Sequence, residues 1–337
     1  FMDQKQIKKI KGLLSKEKTI VIIPHKNPDG DAIGSSTALD SYLKKLGHKS
    51  LIICPNHFPK FLNWMDPKKK IKIFEEDNEL RQEILNCDII FNLDFNNLSR
   101  ISSMKDCVEA SQAIKIMIDH HENPKNYCDY TYSDPNMSST CEMVYHFISM
   151  LGDENLIDYS ISESLYAGIM TDTGSFRFPA TTHETHNVVS KLLKNGISHS
   201  EIHNQIYDNN RLSKIKLLSH CLQKIEILKN FKTCFLFLTR DELEMFDYEK
   251  GDTEGIVNYG LSIENIKFAV IFKENINDNS VRISLRSKGN FDVNKFAKDI
   301  FNGGGHKNAA GAISKLNMKQ TINLFKKSLN KYKNQLN

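Results

Sequence analysis

The sequence predicts an α/β protein: a doubly wound, mainly parallel sheet, followed by a smaller α+β domain. Three observations carry this. Short β-branched runs bounded by charge alternate with amphipathic stretches through the first half of the chain, the rhythm of β-α-β units. The final third loses that rhythm and mixes short strands with short helices. A chain of 337 residues also exceeds what one hydrophobic core usually fills, so two domains are expected.

Taken in order, Thr19-Ile20-Val21-Ile22-Ile23-Pro24 is a continuous apolar run, the pattern of a strand buried on both faces. Asp31 to Gly47 follows as an amphipathic helix, with Ile33, Leu39, Tyr42, Leu43 and Leu46 on its apolar side. Ser50 to Cys54, Asp88 to Leu93 and Ile114 to Ile118 read as further strands, the last two each followed by an acidic residue. Ser138 and Ser139 precede a helix over Thr140 to Met150, with Glu142 placed to complete a capping box. Helices are predicted from Tyr159 to Met170, from His183 to Asn195 and across Ser198 to Leu218, the last bridging two domains. Beyond it, strands near Ile225–Leu228, Phe235–Leu238, Phe268–Phe272 and Val281–Leu285 precede a terminal helix from Met318 to Tyr332. The domain reading is therefore 1–195 as the first domain, 196–218 as a helical linker and 219–337 as the second domain.

Composition excludes several classes. Hydrophobic residues are 40% and charged residues 26% of the chain, an ordinary globular balance. No apolar run reaches the ~18–20 residues that span a bilayer, and Met2-Asp3-Gln4-Lys5 is no signal-peptide core. Phe1, ahead of Met2, reads as an addition and is set aside; a cytoplasmic location is expected. Seven cysteines are scattered with no C-x-x-C pair, which argues for reduced thiols and against a cysteine-based zinc site. A net charge of +4 is too small for a long nucleic-acid footprint, yet suits a small anionic substrate held by a few basic residues.

The chemistry sits where strands end. His25-Lys26-Asn27-Pro28-Asp29-Gly30-Asp31 follows the first strand, Asp94 ends another, Asp119-His120-His121 ends a third, and Asp172-Thr173-Gly174 follows a helix. Ligands of an open parallel sheet bind beyond the carboxyl ends of its strands, so these segments are expected to converge. Carboxylates and imidazoles without thiolates suit manganese, with magnesium or cobalt as substitutes. Each segment alone has an ordinary explanation: a helix N-cap, a solvated loop, a strand-end acid, a turn. Their joint occurrence, in order and each at an element boundary, does not.

The ordered set His25, Asp29, Asp31, Asp94, Asp119-His120-His121 and Asp172 resembles the four motifs of the DHH phosphoesterases. Gly303-Gly304-Gly305-His306, with Arg286-Ser287-Lys288 upstream, is similar to the glycine-rich element of the DHH-associated substrate domain. The resemblance implies an active site in the cleft between two domains and two divalent cations, most readily Mn2+. His25 and Asp29 would hold the first ion, Asp31, His120 and Asp172 the second, with Asp94 bridging. It casts His121 as facing the substrate phosphate and Asp119 as orienting a ligand histidine. Asp94-Phe95-Asn96 departs from the small residues that many relatives carry after the bridging acid. Arg286, Lys288, Gly303, Gly304, Gly305 and His306 would hold substrate, with Arg100 and Arg177 as further candidates.

Within the superfamily, the glycine motif points away from family-II pyrophosphatases. The added module of RecJ-type exonucleases and the membrane segments of cyclic-dinucleotide phosphodiesterases are not in this sequence. The expectation is an oligoribonuclease that also dephosphorylates 3′-phosphoadenosine 5′-phosphate (pAp), acting on short single-stranded oligonucleotides and nucleotide phosphates, with no membrane partner and a homodimer left open. A cyclic- or linear-dinucleotide phosphodiesterase is the alternative, and a non-catalytic nucleotide sensor a more distant one.

Overall fold

The computed structural model describes residues 2–276 and 278–336, and the chain divides into two compact units, Phe1–Asn209 and Asn210–Asn337. The first unit runs α1 (Gln4–Leu13), β1 (Thr19–Pro24), α2 (Gly30–Lys45), β2 (Lys49–Cys54), β3 (Lys72–Ile73), α3 (Leu80–Asn86) and β4 (Ile89–Leu93). It continues with α4 (Lys105–Ala110), β5 (Ile114–Asp119), β6 (Tyr130–Ser133), α5 (Thr140–Met150), α6 (Tyr159–Asp172), α7 (His183–Lys194) and α8 (His199–Tyr207).

Its six strands pair in the order β3-β2-β1-β4-β5-β6, all parallel. The continuous apolar runs are explained by two cores, one on each side of this sheet. Ile20 and Ile22 of β1 enter one core with α2, α5 and α6, while Val21 and Ile23 enter the other with α3 and α4. Neighbouring residues of β4 divide the same way: Ile89, Phe91 and Leu93 face one core and Ile90 the other. This is the doubly wound arrangement the sequence predicts. Because β1 lies between β2 and β4, the chain leaves it to one side and returns on the other. That reversal opens a crevice beyond the ends of β1 and β4.

Glycines set how closely three helices of this unit pack. A Cβ on Gly30 would lie 2.4 Å from Thr171 Oγ1, one on Gly34 2.5 Å from the Ser164 carbonyl, and one on Gly168 2.1 Å from Cys141 Sγ. The start of α2 therefore lies directly against the end of α6. Gly30 serves this contact.

The helix predicted across Ser198 to Leu218 is two helices. α8 ends at Tyr207 and α9 (Leu212–Gln223) begins after Asp208-Asn209-Asn210-Arg211. Asp and Asn side chains compete for backbone hydrogen bonds and favour such breaks. The second unit follows as β7 (Glu226–Leu228), β8 (Thr233–Leu238), α10 (Arg240–Met245), α11 (Ile256–Ser262), β9 (Phe268–Glu274), β10 (Val281–Ser287), α12 (Val293–Phe301), β11 (Gly304–His306), β12 (Ala309–Ser314) and α13 (Met318–Ser328). Its sheet has the order β11-β12-β10-β9-β8-β7, with β8 and β9 parallel and the other pairs antiparallel. One face carries Phe235, Phe268, Phe272, Ile283 and Leu285 against α12 and α13. The other face is covered over β8 and β9 by α9, α10 and α11. Over β10 and β12 the same face stays open: Arg282, Gly311 and Ile313 are exposed, and Ser284, Arg286 and Ala309 are half-buried.

Candidate metal centre

Beyond the ends of β1, β4 and β5 the structure brings together His25, Asp29, Asp31, Asp94, His120 and Asp172. Two sets of ligand atoms each lie within 4.8 Å of one another, His25/Asp29/Asp94 and Asp31/His120/Asp172. Asp94 faces both. Its Oδ2 is 3.3 Å from His25 Nε2, and its Oδ1 is 3.6 Å from His120 Nε2. Asp94 adopts a left-handed backbone with φ of 63°. Such a conformation is tolerated by Asp and Asn and tends to collect at functional sites.

Local structure holds each ligand atom. His25 Nδ1 is 2.8 Å from the Lys26 carbonyl and donates to it, which turns Nε2 toward Asp29 and Asp94; a cation held there would take the place of the Nε2 proton. Asp29 is the N-cap of α2: its Oδ1 accepts from the amides of Asp31 and Ala32, each at 3.1 Å. Its Oδ2 faces His25 Nε2 at 3.7 Å. Capping thus uses one oxygen of this carboxylate and leaves the other turned into the cluster. Asp31 accepts from the first amides of α5, Thr140 at 2.6 Å and Cys141 at 2.8 Å, so a helix N-terminus faces it. Asp172 is the last residue of α6, where a carboxylate opposes the helix dipole. His120 Nε2 lies 3.4 Å from it. Helix stability does not account for an acid at that position; the convergence does.

The electrostatics are those of an anionic cluster built to receive cations. Burial would push His25 down, but Asp29 and Asp94 outweigh it and raise it to about 10. Burial would raise Asp94, yet His25, His121 and His120 hold it below the usual carboxylate range. Asp31 is pushed well above that range, by burial first and then by the charges of Asp94 and Asp172. Divalent ions answer that crowding, and the donors are hard oxygens and imidazoles, a set that fits manganese or magnesium. The nearest thiol, Cys141, points at the backbone carbonyls of Asp31 and Ser164, and burial keeps it protonated.

Asp119 engages the second histidine of its motif rather than a ligand histidine. Its Oδ1 is 2.7 Å from His121 Nδ1 and its Oδ2 accepts the His121 amide at 3.0 Å. The ring of His120 instead has Nδ1 3.2 Å from the Met137 carbonyl. Burial lowers His121, with Arg100 adding to the effect and Asp119 opposing it. Arg100 is thus close enough for its charge to reach the cluster, and its carbonyl accepts the Lys26 amide at 2.7 Å. Arg177 is exposed and lies over the Phe178 ring at 5.5 Å, in the turn after Asp172.

In the second unit, Arg286 and His306 both pair with Ala309, one on each side of β12. They share the open face of the sheet across a methyl group. Lys288 is exposed just past β10. The glycine segment is an edge strand rather than a loop. A Cβ on Gly303 would meet the Gly311 carbonyl at 2.3 Å and one on Gly305 the Ala309 carbonyl at 2.4 Å. These two glycines are needed by β12. Gly304 would meet only Asn294 Oδ1, at 3.9 Å, so its freedom from a side chain is unexplained by the fold.

Residues 19–169 match the model of the DHH family N-terminal domain, and residues 233–335 match the DHHA1 domain. The chain is 32% identical over 299 residues to the bifunctional oligoribonuclease and PAP phosphatase NrnA of Bacillus subtilis, covering 87% of this chain and 88% of that protein. This chain belongs to the DHH family. The Thermus thermophilus NrnA is 29% identical over 299 residues, 89% of this chain and 85% of that one. The crystal structure of an exopolyphosphatase-related protein from Bacteroides fragilis superposes with a TM-score of 0.94 at 38% identity, covering 99% and 98% of the two chains.

Two features of this DHH protein lie outside the motif residues. The departure Asp94-Phe95-Asn96 is accommodated by packing: Phe95 is fully buried in the core with α3 and α4. Asn96 donates to the Glu122 carbonyl at 2.6 Å, tying the Asp94 turn to the segment after His121. Thr140 is the residue that motif reading missed. Its amide serves Asp31 and its hydroxyl donates to Asp94 Oδ1 at 3.0 Å. In the sequence it shows only as part of a capping signal, Ser138-Ser139-Thr140-Cys141-Glu142. The capping differs as well: Glu142 reaches back to the amide and hydroxyl of Ser138, while Ser139 is the N-cap.

Proposed function

We propose that this protein is a two-metal phosphoesterase that hydrolyses very short oligonucleotides to mononucleotides and 3′-phosphoadenosine 5′-phosphate to AMP. The observation that carries it is Asp94, one oxygen turned toward each of two ligand sets. His25 and Asp29 would hold one divalent ion, Asp31, His120 and Asp172 the other, and Asp94 both, with manganese the best match to these donors. When bound, two such ions supply Lewis acidity at the phosphoryl group and an acidified water as nucleophile. The chain itself positions and discriminates. Asp119 fixes the His121 ring through Nδ1, leaving Nε2 for the substrate. A phosphoryl oxygen arriving there adds its charge to that of Asp119 and favours the doubly protonated ring, which then donates to that oxygen. Arg100 adds a positive charge beside it. Arg286, His306, Lys288 and the edge strand at Gly304 would hold the remainder of the substrate, Arg286 through its planar fork of donors.

The NrnA relatives bear the same pair of activities in their names, which supports this reading over a cyclic-dinucleotide phosphodiesterase. The test is turnover, with added manganese or magnesium, of dinucleotides through decamers, cyclic dinucleotides, pAp and pyrophosphate. Hydrolysis of pAp, together with rates that fall as the oligonucleotide lengthens, supports the proposal. Cleavage confined to cyclic dinucleotides establishes the alternative, and no turnover of any of these sinks both.

A further inference from the structure

The open half of the second sheet continues past the residues just assigned. Across β9, β10, β12 and β11, the register places three rows of side chains on this face. The first is Ala269–Arg286–Ala309–His306, the second Ile271–Ser284–Gly311–Gly304, the third Lys273–Arg282–Ile313. Alternate residues of a strand lie about 6.8 Å apart, so the rows are spaced much like successive phosphates in an extended nucleotide strand. The middle row offers a hydroxyl and two glycines, which let a backbone approach closely.

The third row has no role in the folding of the unit that its composition would suggest. Arg282 and Lys273 stand directly opposite one another, and like charges so placed destabilise a sheet pair. Lys273 is satisfied by the Tyr248 and Thr253 hydroxyls at 2.7 and 3.1 Å. Arg282 is exposed, and among the described residues it makes no hydrogen bond or ion pair; its charge is felt by Lys273, Tyr248 and the fully exposed Asp278. Burial, and then the charge of Arg282, pushes Lys273 down to about 8. Beside Arg282 on β12, Ile313 leaves 60% of its surface in solvent. An unpaired guanidinium next to an exposed aliphatic side chain is complementary to a phosphate with its attached sugar and base.

We propose that Arg286, Ser284 and Arg282 form a track for the phosphate backbone of a bound oligonucleotide, with Arg282 and Ile313 making the contact that only substrates longer than a dinucleotide reach. This rests on the reading that the protein cuts short oligonucleotides. Arg282 then sets how steeply activity depends on length.

The test uses the full chain and the substitution Arg282→Gln. The ratio of kcat/KM for a tetranucleotide to that for a dinucleotide should fall about tenfold, the loss of one charge-assisted contact. Arg282→Lys should recover part of it. Binding of a fluorescent tetranucleotide to the metal-free protein should weaken by a similar factor, with a shallower dependence on salt. The melting temperature should hold or rise, since a like-charge pair is removed. An unchanged ratio, or equal losses at both lengths, overturns the track. If the wild-type protein cleaves neither oligonucleotide, the reading beneath it falls instead.

Discussion

The two units handle charge in opposite ways. In the first, four carboxylates and two histidines are drawn into one crevice, with Asp31 and Asp94 almost wholly buried. In the second, cations are spread along an open sheet face, with Arg282 and Lys288 in solvent and Arg286 half-buried. A buried anionic cluster is costly until a cation enters it, because desolvation and mutual repulsion act together. An exposed cation row costs little and is screened by salt. The first arrangement therefore demands a tightly held ion and fixed geometry, and it recruits helix N-termini and positioning residues such as Thr140. The second tolerates variation and suits contacts whose number changes with the substrate. On the proposed reading, chemistry and length selection are separated along the chain for that reason.

The comparison is tested hardest at Asp94. If it serves both ions, Asp94→Ala should reduce kcat at least a thousandfold, about 4 kcal/mol of barrier, while the far-ultraviolet circular dichroism is preserved. Activity within about tenfold of wild type, a change of about 1.4 kcal/mol, contradicts its central position.

The next effect belongs to the open face. Arg286→Ala should lower kcat/KM about ten- to a hundredfold for a dinucleotide or pAp, the value of a charge-assisted bidentate contact. It should lower that for a simple aryl phosphodiester far less, because that substrate has no distal phosphate. Lysine at this position should restore only part of the loss. Equal losses on both substrates would place Arg286 in support of the fold rather than of substrate.

A smaller effect sharpens the electrostatic contrast. Asp31 is the carboxylate whose ionisation its surroundings oppose, through burial and the charges of Asp94 and Asp172. Asp31→Asn should relieve that repulsion in the presence of a chelator, a gain set against the loss of one of its two backbone acceptors at the start of α5, and the rise in melting temperature that manganese gives the wild type should mostly disappear. Asp94 is held ionised by His25, and its replacement should bring no such gain.

The smallest effect concerns an ordinary structural pair in the second unit. Burial would raise Glu242, but Lys224 and the Thr239 amide, then His220, hold it down to about 2. A depressed carboxyl stabilises the fold above its unfolded pKa, near 4.5, and that contribution disappears as pH falls through about 2. Glu242→Gln should lower the melting temperature by a few degrees at pH 6, with the difference shrinking below about pH 4. A pH-independent difference would show that Glu242 acts through helix capping alone.

Much of this was legible in the residues. Strands buried on both faces announce themselves as unbroken apolar runs, so β1, β4 and β5 could be placed from sequence. The motif residues converge because parallel topology forces strand ends together. The strands that went unread are β3, of two residues, β6, β11 and β12. β6 is Tyr-Thr-Tyr-Ser, and β11 and β12 are mainly glycine and alanine. Short, small or polar segments carry no apolar periodicity, and pairing with a neighbour is what makes them strands. The same limit explains Gly303 and Gly305, whose reason lies in the carbonyls of Gly311 and Ala309 on an adjacent strand.

By itself the sequence determined the fold class, the order of the motifs and the chemistry of the ligand set, because these depend on residue type and on local period. Only the tertiary structure decided that Asp119 holds His121, that Thr140 bonds both Asp31 and Asp94, and that Arg282, Ser284 and Arg286 lie on a face left uncovered. Those facts depend on which distant backbone atoms pack together and on which half of a sheet the helices cover, and neither is a property of any short stretch of chain.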